Sequence, residues 1–171
     1  TPACGFVTTS TGPVMRAQIQ VTGVQDPYSA RQMVLSHKDD LMAMANEKDP
    51  MLVKFGGGVK EIEVMVIDSR LGAMVVVHLI VDCRDAMGAN AVNTACERLA
   101  PRLEAITGGR VHLRILSNLT DRSIVRAEAA VPAQLLGTAQ SAGEEVRDGI
   151  VAAAQFAAVD PYRAATHNKG I

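Results

Sequence analysis

The chain has 171 residues, 48% hydrophobic and 20% charged, a composition that can bury a sizeable core and excludes global disorder. A net charge of −1, 3% aromatic residues and no Trp give neither the basic footprint of a nucleic-acid or membrane-surface binder nor a base-stacking platform. The apolar run AMVVVHLIV (73–81) falls well short of the ~20 residues that a bilayer span needs.

Residues 1–14 are small, polar and punctuated by Gly and Pro, which reads as loop. In VMRAQIQVTGV (14–24), Met15, Ala17, Ile19 and Val21 alternate with polar residues, so a strand is expected. The period then changes. Asp26 can cap and Pro27 suits a first helical position, and Ala30, Met33, Val34, His37, Leu41 and Met44 share a face, so one helix is predicted over 26–50, ending at Pro50. GGG (56–58) reads as a turn. Ile62, Val64 and Val66 alternate in a strand over 60–68, and SRLG (69–72) makes a hairpin to AMVVVHLIVDC (73–83), whose unbroken apolar character suits a strand covered on both faces or central in a sheet. Residues 84–109 read as a helix burying Val92, Ala95, Cys96, Leu99, Leu103 and Ile106. Pro101 should kink or split it, at a cost of about 3 kcal/mol. The last strand of this set is 110–118, with Val111, Leu113 and Ile115 on one side.

Residues 14–118 thus read β-α-β-β-α-β, the order of a ferredoxin-like split βαβ unit: an α+β fold with an antiparallel sheet and two helices on one face. A strand at 123–132 follows. Residues 133–162 read as mostly helical, interrupted near Gly137 and Ser141 and closed by Pro161. They belong to a second domain.

Cys4, Cys83 and Cys96 have no metal-ligand spacing and form no disulfide framework, which points to a reducing, cytoplasmic setting. His37, His78, His112 and His167 are scattered, so no metal site is expected. In DCRDAMGAN (82–90) an apolar strand runs straight into a helix. Asp85 can cap that helix, or the free N–H groups beside Gly88 can receive a phosphate. Without GxGxxG or a P-loop, a doubly wound dinucleotide fold is not supported. In DPYRAATHNKGI (160–171), Lys169 between Asn168 and Gly170 is either a solvated tail lysine or a residue held in a tight turn. Arg163 can offer a planar fork to a carboxylate.

Taken together, CGFVTTST (4–11), GGG (56–58), HLIVDCRDAMGAN (78–90), AITGGRVHLRILSNL (105–119) and FAAVDPYRAATHNKGI (156–171) resemble the hydroxymethylglutaryl-coenzyme A reductases over the whole chain. DAMGAN and THNKGI point to the bacterial class II form. The resemblance implies reduction of the thioester of hydroxymethylglutaryl-CoA to mevalonate and CoA with two hydride transfers from a nicotinamide cofactor, or the reverse. It divides the chain into the end of a large-domain segment (1–13), a ferredoxin-like cofactor-binding small domain (14–120) and a return into the large substrate and dimerisation domain (121–171). Asp85, Ala86, Met87, Gly88, Asn90 and Asn118 would line the dinucleotide site. Asp49 would meet the adenosine ribose, favouring NAD over NADP, while Lys48 beside it leaves NADP open. Lys169 matches the catalytic lysine and Arg163 the residue that holds the substrate carboxylate, with His167 and Asn168 positioning the turn.

The resemblance also implies a homodimer with its active site between subunits. The opening stretch, without an initiator Met, reads as the middle of a longer chain. The family's catalytic glutamate, aspartate and CoA-protonating histidine are expected outside this segment, which alone should not turn over. The competing reading is a non-catalytic ferredoxin-like regulatory module binding a metabolite, or an assembly domain pairing through 73–81. Neither explains DPYRAATHNKGI.

Overall fold

The computed structural model describes residues 5–170, so Cys4 and Ile171 lie outside the described residues. The elements run β1 (Phe6–Ser10), β2 (Val14–Thr22), α1 (Pro27–Ser36), α2 (Lys38–Asn46), α3 (Pro50–Lys54), β3 (Gly58–Ile67), β4 (Met74–Asp82), α4 (Gly88–Thr107), β5 (Arg110–Ser117) and β6 (Val125–Ala129). A 3-10 turn (Ala133–Leu136), α5 (Gly143–Val159) and α6 (Pro161–Gly170) follow. They form two units, 10–125 and 5–9 with 126–170.

In the first unit an antiparallel sheet has the order β3-β4-β2-β5. The period-two pattern of β2 buries Ala17, Ile19 and Val21 in the core beneath α4, and Ile62 and Val64 of β3 join them beneath α1 and α2. Strand β4, between β3 and β2, is buried from Val75 to Val81, as its unbroken apolar run requires. From the helices, Ala30, Val34, Leu41, Val92, Cys96, Leu99 and Leu103 close the core. Each such large aliphatic side chain contributes about 1.5–3 kcal/mol by burial.

The single helix expected over 26–50 is three. The Met33 carbonyl accepts from Ser36 Oγ at 2.8 Å and lies 2.8 Å from His37 Nδ1, while the His37 N–H turns to Val34 O at 3.1 Å. These side chains compete for the carbonyl that would have carried the helix onward. Pro50 begins α3 rather than ending a helix: Asp49 caps it, accepting the Leu52 N–H at 2.9 Å. Pro101 does not split α4. It lies on the exposed side, and the carbonyl it leaves without a donor belongs to exposed Glu97.

Strand β5 departs from its expected alternation. Val21 pairs with Val111, but Ile19 pairs with Arg114, so β5 carries one extra residue. The bulge reverses the faces beyond it. Leu116 then packs on the core, while Leu113 and Ile115 are exposed.

In the second unit β1, read as loop in the sequence, pairs with β6 as a two-stranded sheet. Asp160 and Pro161 end α5 and start α6, with Asp160 Oδ1 accepting the Arg163 N–H at 2.7 Å. No helix among the described residues is long and apolar enough to cross a membrane.

Candidate functional site

The pairings Val14 with Asp82, Gly58 with Asp82 and Arg16 with Ser117 put the start of β2 and β3 and the end of β4 and β5 at one end of the sheet. The segments that carry the candidate cofactor residues lie at that end.

Two adjoining clefts open there on the β3 side. One, of about 310 Å³, is lined by Asn46, Lys48, Asp49, Gly58, Met87 and Asn90, among others. Its neighbour, of about 370 Å³, is lined by Asp49, Met51, Phe55, Arg84, Asp85 and Ala86, with Leu52. Asp49, Leu52 and Ala86 line both. The structure therefore brings Asp49, from the segment between α2 and α3, together with Asp85, Ala86 and Met87 of the loop before α4 and Asn90 of its first turn.

The expected cap by Asp85 does not form. Helix α4 starts at Gly88 with Met87 at the cap position and, among the described residues, no side chain that caps it. Asp82 instead turns the preceding loop, accepting the Arg84 N–H at 3.1 Å. Gly88 serves the packing: a Cβ there would lie 2.3 Å from Met15 Sδ and 3.1 Å from Cys83 Sγ, so any larger residue would have to push these side chains aside. Burial pushes the Cys83 thiol up, with Asp82 adding to it, and burial pushes Cys96 up to about 12. Both are neutral packing groups and not nucleophiles.

Asn118 lies beyond β5, at the same end of the sheet but on the opposite edge, and does not line either cleft. Arg163, His167, Asn168 and Lys169 belong to the other unit, all on α6, so Lys169 stands on a helix and not in a tight turn, one of its two readings from sequence. Arg163 and Lys169 are exposed, and at 100° per residue they point about 120° apart around the helix. The Arg163 guanidinium stands over the Phe156 ring, 5.9 Å from its centroid.

Sequence reading missed Asn46 and Arg84. Asn46 binds both backbone groups of Val59, and Arg84 docks on Gly56. Neither has a local signature, since each acts on a loop distant in sequence. The only cue was the position of Arg84 inside DCRDAMGAN.

A family model described as hydroxymethylglutaryl-coenzyme A reductase matches residues 1–171. The chain belongs to that family. The 3-hydroxy-3-methylglutaryl-coenzyme A reductase of Archaeoglobus fulgidus is 55% identical over 167 residues, covering 98% of this chain and 37% of the relative. Among solved structures, the reductase of Streptococcus pneumoniae superposes with a TM-score of 0.91 at 38% identity, covering 97% of this chain and 45% of that one. A class II reductase from the same organism, bound to NADPH in open conformations, superposes with a TM-score of 0.90 at 38% identity, over 97% of this chain and 40% of that one. The class II likeness read from DAMGAN and THNKGI accords with that structure. The chain spans less than half the length of each of these relatives.

Proposed function

We propose that this reductase chain supplies the cofactor-binding small domain, residues 14–120, and the catalytic lysine of an enzyme interconverting hydroxymethylglutaryl-CoA with mevalonate and CoA through two hydride transfers with NAD(H). Residues 1–13 and 121–171 are then parts of its large domain. The strand order β3-β4-β2-β5 supports a ferredoxin-like small domain, since the first and third strands of that arrangement are central.

The observation that carries the reading is the convergence of Asp49, Met87 and Asn90 on one cleft beside an uncapped helix start. The residues fit a dinucleotide. Asp49 Oδ1 is engaged by the Leu52 N–H, and Oδ2 remains to accept from a ribose hydroxyl. The first N–H groups of α4 suit the diphosphate. Asn118, at the far edge, lies three strand spacings away, roughly 14 Å at about 4.8 Å per strand, the reach of an extended dinucleotide laid across the sheet end.

When bound, the nicotinamide cofactor supplies the hydride. The chain's own contribution is charge: attack on the thioester carbonyl builds negative charge on its oxygen, and the Lys169 ammonium stabilises it. Arg163 pairs with the free carboxylate of the substrate, and Asn168 positions the lysine-bearing turn. The acid–base groups come from outside this segment. The working enzyme is a cytoplasmic homodimer whose active site forms between subunits, a reading that rests on the family.

The test is an assay of the full-length protein. It is expected to oxidise NADH in a hydroxymethylglutaryl-CoA-dependent way and to reduce NAD when given mevalonate and CoA. Absence of both reactions in a folded, full-length protein would end this reading.

A further inference from the structure

On the face of the sheet away from the helices, His78 of β4 stands directly across from Glu63 of β3 and is only 7% exposed. Arg16 of β2 reaches both. Its Nη1 donates to Glu63 Oε2 at 2.6 Å and lies 2.8 Å from His78 Nδ1, and its Nη2 donates to Asp121 Oδ2 at 3.2 Å. Arg122 also bonds Glu63 and reaches Glu61 at 3.3 Å. Lys38 stands 3.9 Å from Glu61, and the exposed Lys60 lines the same surface.

Asp121 and Arg122 belong to segment 118–124, through which the chain leaves this unit after β5. Thr11, beside the chain's entry to the unit, is tied to that segment. Its N–H donates to the Ile124 carbonyl at 3.0 Å, and its Oγ1 accepts the Ile124 N–H at 2.8 Å. Among the described residues, the ion pairs that fasten the segment to the sheet all pass through Arg16 or Arg122. His78 Nδ1 can accept from Arg16 only while it carries no proton. A proton there makes it a donor, and sets one cation against another. The imidazolium then pairs with Glu63, the acid that both arginines use, and Arg16 must withdraw and release Asp121.

We propose that Arg16, Glu63, His78 and Asp121 form a proton-sensitive latch on segment 118–124: neutral His78 keeps Arg16, and through it Asp121, in place, and protonation of Nδ1 opens the latch. Asn118 starts the segment, so opening frees the candidate site residue furthest from the two clefts. In the closed latch burial first, and then Arg16, hold His78 below its ordinary 6.5, with Glu63 and Asp121 opposing. Opening exposes the ring and removes Arg16, so the open form binds the proton more readily. Below pH 6.5 each pH unit then favours opening by up to about tenfold, until the closed form itself titrates.

The experiment is hydrogen-exchange mass spectrometry on the full-length protein at about pH 7.5 and about pH 5.5, with the intrinsic exchange rates divided out. The proteins are wild type, His78→Asn and Asp121→Ala. Asn offers an acceptor near the place of Nδ1 and does not titrate. In wild type, segment 118–124 should be less protected than 75–81 of β4, opening without the rest of the unit. Its protection should fall about three- to tenfold at the lower pH. In His78→Asn that fall should vanish. Asp121→Ala, at a half-exposed site, should lower the protection of the segment already at the higher pH and leave little further fall in acid. No fall in wild type, the same fall in His78→Asn, or a segment as well protected as 75–81 would overturn the proposal. So would an Asp121→Ala protein that matches wild type at the higher pH.

Discussion

Asn46 and Val59 pair as two β-strands would: Asn46 Oδ1 accepts the Val59 N–H at 2.7 Å, and Asn46 Nδ2 donates to the Val59 carbonyl at 3.2 Å. Strand β3 is an edge strand, and Val59 is only 4% exposed, so these backbone groups need a partner. The end of α2 provides one and thereby shapes the wall of the cleft. Asn46→Ala should lower the unfolding free energy by about 2–3 kcal/mol, because it leaves a buried donor and acceptor unmet. Gly58→Ala should also destabilise, since its φ is +93° and the new Cβ would lie 2.5 Å from Asn46 Oδ1. Part of that clash is with Asn46 itself, so the double variant should lose less than the two single losses added. Urea unfolding of the four proteins measures this. An Asn46→Ala protein as stable as wild type would show that water satisfies the edge.

The other face of the sheet carries a pH-dependent element. Arg16 Nη1 donates to Glu63 Oε2 at 2.6 Å and lies 2.8 Å from His78 Nδ1, which must therefore accept. The His78 proton then sits on Nε2, which is buried without a partner among the described residues. Burial first, and then the Arg16 cation, hold His78 below its ordinary value of 6.5, although Glu63 and Asp121 pull the other way. The hydrogen bond from Arg16 holds the Glu63 carboxyl below its usual range, helped by Arg122, which also bonds it. For His78, the unfolded chain takes up a proton below about pH 6.5 that the native state resists, so stability falls as pH drops below that value. For Glu63, the stabilisation is present above the ordinary carboxylate range and is lost as pH falls through its depressed value. The urea midpoint should be level from pH 8 to 7, fall below pH 6.5 and fall further in acid. His78→Leu removes the unpartnered Nε2 and should flatten the first fall while keeping the second. An identical fall between pH 7 and 5 in that variant would assign the effect to another group.

Where one face of a strand is buried, the period-two pattern was legible, as at Ala17, Ile19 and Val21. It failed at β5 because a bulge is set by pairing with β2, which no local pattern announces. Asp-Pro occurs three times before a helix, at 26–27, 49–50 and 160–161, and each time the Asp side chain accepts N–H bonds from the first turn. The sequence reading took the first as a start and the other two as stops, although the same chemistry stood at all three. Asp49, Met87 and Asn90 were legible through motif resemblance, whereas Asn46 and Arg84 act through contacts with distant loops and were not.

Asp49 has two roles that a substitution can separate. It caps α3 through Oδ1, and under the proposed function its charge reads the ribose. Asp49→Asn keeps an acceptor for the Leu52 N–H and removes the charge, so it should erode the NADH preference about tenfold while shifting stability by only a few tenths of a kcal/mol. Asp49→Ala loses the cap as well, and should cost about 1 kcal/mol in addition. Cofactor titrations alongside urea melts separate the two. An unchanged NADH-to-NADPH ratio in Asp49→Asn would mean that other groups set the choice.

Lys169 stands in the last turn of α6, exposed, where a cation also favours the helix dipole. Magnitude distinguishes the two explanations for any effect of removing it. A helix-end charge at an exposed site is worth about 0.3–1 kcal/mol and acts on stability. A donor aimed at a developing oxyanion is worth about 3–4 kcal/mol of barrier, or 10²–10³-fold in rate. Lys169→Ala in the full-length protein should therefore lower kcat by about 10²–10³-fold or more, with NADH affinity and helical content close to wild type. Steady-state rates, NADH fluorescence titration and circular dichroism on one preparation check all three. A kcat within about fivefold of wild type would take Lys169 out of the chemistry and leave it the smaller role of closing a helix.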